Sequence, residues 1–163
     1  GVSVADALKI RVAQKEDAAL VLSFIRKIAA YEKMSDEVVA TEEILKEFVF
    51  DRHAADVFLA EYEGEPVGFA LFFENFSTFI GRTGIHLEDL YVDPDKRGLG
   101  IGKALFQAVA AEAVRRGCKR MEWTCLNWNE PSIRFYRSMG AVPMDEWTTY
   151  RLAGEAIEQA TKK

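Results

Sequence analysis

The sequence is poor in the residues that staple or partition a chain. Two cysteines, Cys118 and Cys125, and two histidines, His53 and His86, are all it holds of either kind. No spacing among them matches a zinc site, so no metal is expected, and so few thiols suit a reducing cytoplasm. No apolar run reaches the roughly 20 residues of a membrane helix. No charged-then-apolar leader opens the chain, and Gly1 in place of Met reads as processing or as a cloning scar. The expectation is therefore a cytoplasmic protein with no membrane partner. A basic excess is missing too: the formal net charge is -5 with both signs interspersed, which excludes the electrostatic footprint of a nucleic-acid binder. An acidic excess suits a small cationic partner, and equally an ordinary solvated surface. Repeats, low-complexity tracts and linker-like runs are also lacking, so residues 1–163 are read as one domain, with 1–7 and 155–163 peripheral.

What is present is a chain of alternating strand and helix signals. Leu8 to Val12 reads as a strand, followed by Leu20, Val21, Phe24, Ile25, Ile28 and Tyr31 at helical spacing. Thr41 is placed to cap a shorter helix with Ile44, Leu45 and Phe48 on one side, facing a sheet. Val57 to Tyr62 and Val67 to Phe73 are extended runs joined by a hairpin at Glu63-Gly64-Glu65-Pro66, and Ile85 to Val92 is a third. A helix then runs from the glycines near position 100 to a C-terminal stop at Gly117. Met121 to Leu126 is the next strand. Asn129 caps a helix that carries Pro131 in its first turn and ends at Gly140. Trp147 to Leu152 is expected as a final strand, with a short helix after Gly154. The order implies an α/β fold with one mixed sheet. Cys125, alternating with Met121 and Trp123, reads as a packed sheet residue, and His86 as structural or pocket lining.

The sharpest signal is Arg97-Gly98-Leu99-Gly100-Ile101-Gly102-Lys103, which follows an apolar strand and an Asp93-Pro94-Asp95 turn and runs directly into an amphipathic helix. Unpaired N–H groups and the positive dipole end at a helix start make an anion site, which glycines let a phosphate approach closely. Arg97 and Lys103 add charge at the same place. The segment is not a Walker A loop, because Ala104 follows Lys103, nor a dinucleotide fingerprint, because its glycines alternate as G-x-G-x-G. The alternative is a glycine-rich turn without a ligand.

Arg97, Gly100 and Gly102 match the Arg/Gln-x-x-Gly-x-Gly/Ala signature of the GNAT superfamily of N-acetyltransferases, which this sequence resembles from Ile10 to Leu152. Within it the chain is most similar to the spermidine/spermine-type diamine acetyltransferases. Tyr31-Glu32-Lys33-Met34, Leu87-Glu88-Asp89-Leu90-Tyr91-Val92 and Trp128-Asn129-Glu130-Pro131-Ser132-Ile133-Arg134-Phe135-Tyr136 carry that likeness. The resemblance implies the GNAT fold: a single mixed, mostly antiparallel twisted sheet flanked by helices and splayed centrally for CoA, between Ile85–Val92 and Met121–Leu126. It implies acetyl-CoA as cosubstrate, with its pyrophosphate on the amides of Gly98, Leu99, Gly100, Ile101, Gly102 and Lys103 beside Arg97. Its pantetheine arm would lie along Leu90, Tyr91 and Val92, with further contacts from Asn129, Pro131, Ser132 and Tyr136. A homodimer, with C-terminal strand exchange, is implied in the same way.

Acyl transfer to an amine requires that an ammonium lose a proton before attack and that a departing thiolate gain one. A carboxylate at Glu88, directly or through water, can take the first proton, and the resemblance implies Glu88 as that base and Tyr136 as the acid. Tyr136 also suits an aromatic core position beside Ile133, Phe135 and Met139. Tyr31, Glu32, Phe79, Glu88, Asp89 and Trp147 map onto substrate-lining positions of the diamine enzymes, where carboxylates and aromatic faces select cations. Phe79 stands where that family has tryptophan, which puts the pocket width in doubt, and Glu32 also suits a solvated helix end. Regular alternation turns Glu88 and Asp89 to opposite faces, so only a bulge lets both line one side. The expected activity is acetyl transfer to a small diamine, polyamine or thialysine- or lysine-like amine within a ternary complex. The alternatives are a non-catalytic acyl-CoA sensor, and an acetyltransferase for protein lysines or N-termini.

Overall fold

The computed structural model describes Ser3 to Lys162; the expected peripheral ends extend beyond these residues at 1, 2 and 163. The chain divides after Thr124 into two compact units. The first contains α1 (Val4–Ala7), β1 (Leu8–Val12), α2 (Ala18–Tyr31), α3 (Glu42–Leu45), β2 (Asp56–Tyr62), β3 (Glu65–Ser77), β4 (Arg82–Val92), α4 (Ile101–Arg115) and β5 (Met121–Glu122). The strands form one sheet in the order β1-β2-β3-β4-β5, antiparallel except for β4 with β5. This is the mixed, mostly antiparallel sheet expected.

Alternation along the strands builds two faces. Val57, Leu59, Phe69 and Leu71 join Val21, Leu22 and Phe24 of α2 in one continuous core, to which Tyr91 also belongs. Phe24 is fully buried and its ring stacks on Phe69 at 5.4 Å. Phe72, on the opposite face, lies beneath the guanidinium of Arg116 at the C-terminal end of α4. Arg116 also binds Asp56 at 3.1 Å, Glu74 at 3.5 Å and Glu112 at 2.7 Å, so the end of α4 is tied to both β2 and β3. The buried stripe of α4 is Ile101, Leu105, Phe106, Val109 and Ala113, the spacing that its sequence predicts.

Local chemistry explains the turns. Glu63 and Gly64 join β2 to β3 with φ of 52° and 83°, positive at both central positions as in a two-residue type I′ hairpin. Thr41 caps α3 by accepting the Ile44 N–H at 3.1 Å. The helix then widens into a π-helical stretch, Lys46–Asp51, closed by the Arg52 N–H on the Glu47 carbonyl at 2.8 Å. Leu45 is buried as expected and Val49 joins it in the core, while Ile44 and Phe48 are exposed. Phe48 instead packs under the Arg52 guanidinium at 4.4 Å.

The second unit begins at Cys125 and holds α5 (Glu130–Ser138) and α6 (Glu155–Ala160). The expected strand Trp147–Leu152 is a correction. Among the described residues it has no ladder partner, and Trp147, Tyr150 and Leu152 are exposed. An apolar, β-prone run becomes a strand only where a neighbour supplies hydrogen bonds and cross-strand contacts. The strand expected over Met121–Leu126 likewise shortens to Met121–Glu122, since only two residue pairs link it to β4.

Replacing Phe24 with Ala should lower unfolding stability by about 3–5 kcal/mol, the usual cost of removing a fully buried aromatic ring. Urea denaturation reads this directly, and an unchanged midpoint would remove the Phe24–Phe69 stack from the centre of the core.

Candidate active site

Three features of the first unit meet on β4. The first is a parting of the sheet. β4 pairs with β5 only at Ile85↔Met121 and His86↔Glu122, then runs on to Val92 with its outer edge no longer covered by that strand. Backbone groups on such an edge can pair with an extended guest.

The second is the glycine loop. Gly98 and Gly100 adopt left-handed conformations (φ 85° and 80°), and Gly100 forms the N-terminal boundary of α4. A Cβ added at either glycine would meet nothing within 4 Å, so the space over the loop is open, and the conformation itself requires glycine. Ile101 is buried in the core, which leaves only its backbone for the loop surface. The bond from the Ala104 N–H to the Gly100 carbonyl, 3.0 Å, starts the helical ladder. N–H groups ahead of it have no carbonyl one turn earlier, and with the helix dipole they form an anion cradle. A diphosphate-bearing ligand therefore fits. Arg97 flanks the loop with its Nε donating to the Val92 carbonyl at 3.2 Å and its guanidinium over the Tyr31 ring at 5.2 Å.

The third is a cluster of carboxylates created by a break in register. Phe73↔His86 and Phe72↔Leu87 are partners on one side of the break, Leu71↔Asp89 and Ala70↔Leu90 on the other, so Glu88 is an extra residue in β4. This is the bulge that regular alternation lacked. It changes the phase: His86, stacked on Phe73, and Asp89, opposite core residue Leu71, both face the α2 side. Glu88 turns the same way, its Oε2 lying 3.3 Å from Nε2 of His86. Burial, then the charges of Glu88 and Glu32, raise the Asp89 carboxyl from its ordinary 3.8 to about 7. Burial, then the charge of Glu88, raises Glu32 as well. Three acids thus share one electrostatic site at the end of α2, next to Tyr31, the last residue of that helix.

The remaining expected site residues lie outside β4, the glycine loop and the end of α2. Phe79 is fully exposed at the tip of the β3–β4 hairpin, ~20 Å along the strand from Glu88, and is not brought to the carboxylates within the chain. In the second unit, Asn129 is buried and caps α5 by accepting the Ser132 N–H at 3.4 Å, with Pro131 in the first turn. Tyr136 lies on the same helix, partly buried, with its ring tilted against Phe135 at 5.6 Å. Trp147 is 78% exposed. The contact that residue reasoning undervalued is His86 with Glu88; their i, i+2 spacing on one strand was its signal.

The glycine-lined helix entrance and the parted mixed sheet fall within a family match: the chain belongs to the acetyltransferase (GNAT) family, whose family model matches residues 23–141. It is 36% identical to the thialysine N-epsilon-acetyltransferase of Bos taurus, over 94% of this chain and 97% of that protein. It is 29% identical to the L-ornithine N5-acetyltransferase NATA1 of Arabidopsis thaliana, over 94% and 88%. Among solved structures, an integron cassette protein of V. cholerae superposes with a TM-score of 0.79 at 28% identity, covering 96% of this chain and 99% of that one. An aminoglycoside acetyltransferase from an uncultured soil sample, solved with sisomicin, shares the fold with a TM-score of 0.79 at 22% identity, over 93% and 100%.

The raised Asp89 carboxyl has a consequence for stability. Between its ordinary 3.8 and about 7 the folded chain holds a proton that the unfolded chain has released, so this contribution is complete at low pH and is lost as pH rises through about 7. Asp89→Asn, which keeps the shape without the charge, should therefore gain stability relative to the parent as pH rises from 4 to 8, read as the difference in Tm. A constant difference across that range would show that Asp89 titrates normally.

Proposed function

We propose that the chain transfers an acetyl group from acetyl-CoA to the primary amine of a small cationic molecule, a diamine, a polyamine or a thialysine- or lysine-like compound. The observation that carries this reading is the convergence of Glu32, Glu88 and Asp89 beside the open edge of β4. A cluster of acids that holds a proton for want of a partner is matched by a cation, which would draw Asp89 back toward ionisation. The names of the thialysine and ornithine acetyltransferases, both acting on amines of small molecules, support the same class.

When bound, acetyl-CoA supplies an acetyl group activated as a thioester. The N–H groups from Gly98 to Lys103 receive its pyrophosphate, and Leu90 to Val92 align its arm as an added strand would. Tyr31, Glu32 and Asp89 draw in the ammonium through charge and an aromatic face, the latter contributing ~0.5–2 kcal/mol. Glu88, whose side chain is 54% exposed, is the most accessible of the three acids and takes the ammonium proton, directly or through a water. The Tyr136 hydroxyl gives a proton to the departing sulfur and is restored by the second N–H proton, which the attacking nitrogen loses as the amide forms. Direct attack within a ternary complex needs no acyl-cysteine; Cys118 is buried against Glu74 and Thr83.

Following free thiol during incubation with acetyl-CoA and a panel of diamines, polyamines, lysine analogues and peptides tests this reading. Release is expected with the small amines, and Tyr136→Phe should lower kcat with little change in acetyl-CoA affinity. Silence with every amine would favour an acyl-CoA sensor, and release with peptides alone would favour a protein acetyltransferase.

The working form in this reading is a cytoplasmic homodimer. Its support is the exposed run Trp147, Tyr150 and Leu152, β-prone residues that two copies could pair by exchanging C-terminal segments. Light scattering should return twice the 18.4 kDa chain mass, and truncation before Trp147 should return a monomer. A full-length monomer at working concentration would end the dimer reading.

A further inference from the structure

His86 occupies a singular place on β4. It is the last residue of that strand paired with β5, so it stands where the two strands begin to part, and two positions later comes the bulged Glu88. Its ring is held on three sides. Phe73 of β3 stacks on it at 4.9 Å with the planes 28° apart, the backbone is fixed between β3 and β5, and Nε2 faces the Glu88 carboxylate at 3.3 Å. The side chain nevertheless keeps 24% of its surface in solvent. An imidazole gripped by an aromatic face, aimed at one carboxylate and open to water at the other side has the geometry of a proton exit.

The charged groups around it favour that role. On β4 the neighbour is Glu88. On β3 the partner Phe73 is neutral. On β5 the paired residue Glu122 has its carboxylate on Arg120 at 3.2 Å. On the α2 side, the charge of Glu88 acts on Glu32 and Asp89, and that of Glu32 on Asp89. A Glu88 that had just taken a proton has Nε2 of His86 3.3 Å away as a base to receive it.

We propose that His86 is the positioning residue for Glu88: it fixes the carboxylate toward the parted edge and carries away the proton that Glu88 takes from the substrate ammonium. The inference rests on Glu88 being the base. In the first step the ammonium N–H bond breaks and a Glu88 O–H bond forms. In the second that O–H bond breaks as Nε2 gains the proton, which leaves a carboxylate beside an imidazolium. In the third the ring loses a proton to water or buffer on its exposed side. One proton leaves per amine acetylated, and nothing is oxidised or reduced.

The test uses the full-length enzyme and its best amine from the panel. His86→Phe, which keeps the stack on Phe73, should lower kcat roughly tenfold or more, at or below the low end of what positioned proton-transfer groups supply, with acetyl-CoA affinity and Tm unchanged. The acid limb of its kcat/KM profile should change, because the group that must be unprotonated to receive the proton from Glu88 is gone. His86→Ala should regain activity with added imidazole, at a rate that rises with imidazole concentration. A His86→Phe enzyme with the parent pH profile, or a His86→Ala enzyme indifferent to imidazole, would overturn the role of His86 while leaving Glu88 as base. A fully active Glu88→Gln enzyme would instead sink the base assignment and this inference with it.

Discussion

One surplus residue in β4 organises the site. In an unbroken strand His86 and Glu88 would share a face and Asp89 would point to the other, toward α4. The bulge at Glu88 resets the phase, so Asp89 and Tyr91 follow His86 onto the α2 side. The electrostatics depend on this shift, since two adjacent carboxylates come to share a partly buried region with Glu32, and Asp89 holds a proton that an exposed aspartate would release. The large apolar residues that flank the bulge, Leu71 opposite and Tyr91 beyond, are buried in the main core and hold the irregular backbone in place.

The same strand carries the second constraint, the departure of β5 after His86. A sheet edge inside a protein leaves unpaired backbone groups, and such edges are normally covered or blunted. Here the edge stays uncovered by β5 as far as Val92, whose carbonyl is engaged by Arg97, and the chain passes straight from there through a short turn into the glycine loop. Arg97 therefore links three parts: the end of β4, the start of the loop and, through its stacking on Tyr31, the end of α2. Packing of Ile101 and Leu105 into the core fixes the direction of α4, so the dipole and the unpaired N–H groups at its start point where the loop lies open.

Much of this was legible from residue order. The order of strands and helices in the first unit follows from periodicity, although β3 and β4 extend past the expected Val67–Phe73 and Ile85–Val92, and the Thr41 and Asn129 caps, the Glu63-Gly64 hairpin and the glycine-lined start of α4 follow from local chemistry acting over three or four residues. Where the reading slipped, the cause was long-range. After Thr41, Leu45 is buried as expected, but in the π-helical stretch that follows Val49 rather than Phe48 is the buried residue. Trp147–Leu152 has the composition of a strand, but composition supplies no partner, and no strand forms.

By itself, the sequence determined the chemistry available: an anion-binding helix entrance, carboxylates on the strand ahead of it, a tyrosine on a capped helix, and a scaffold assignable to the acetyltransferases. These are local properties, written in neighbouring residues whose backbone preferences do not depend on the rest of the chain. Only the tertiary structure decided that the charge of Glu88 reaches Glu32 and Asp89, that His86 touches Glu88, and that β5 pairs with β4 no further than His86. Each of these depends on register between segments far apart in the chain, and a shift of one residue turns a strand's side chains to the opposite face.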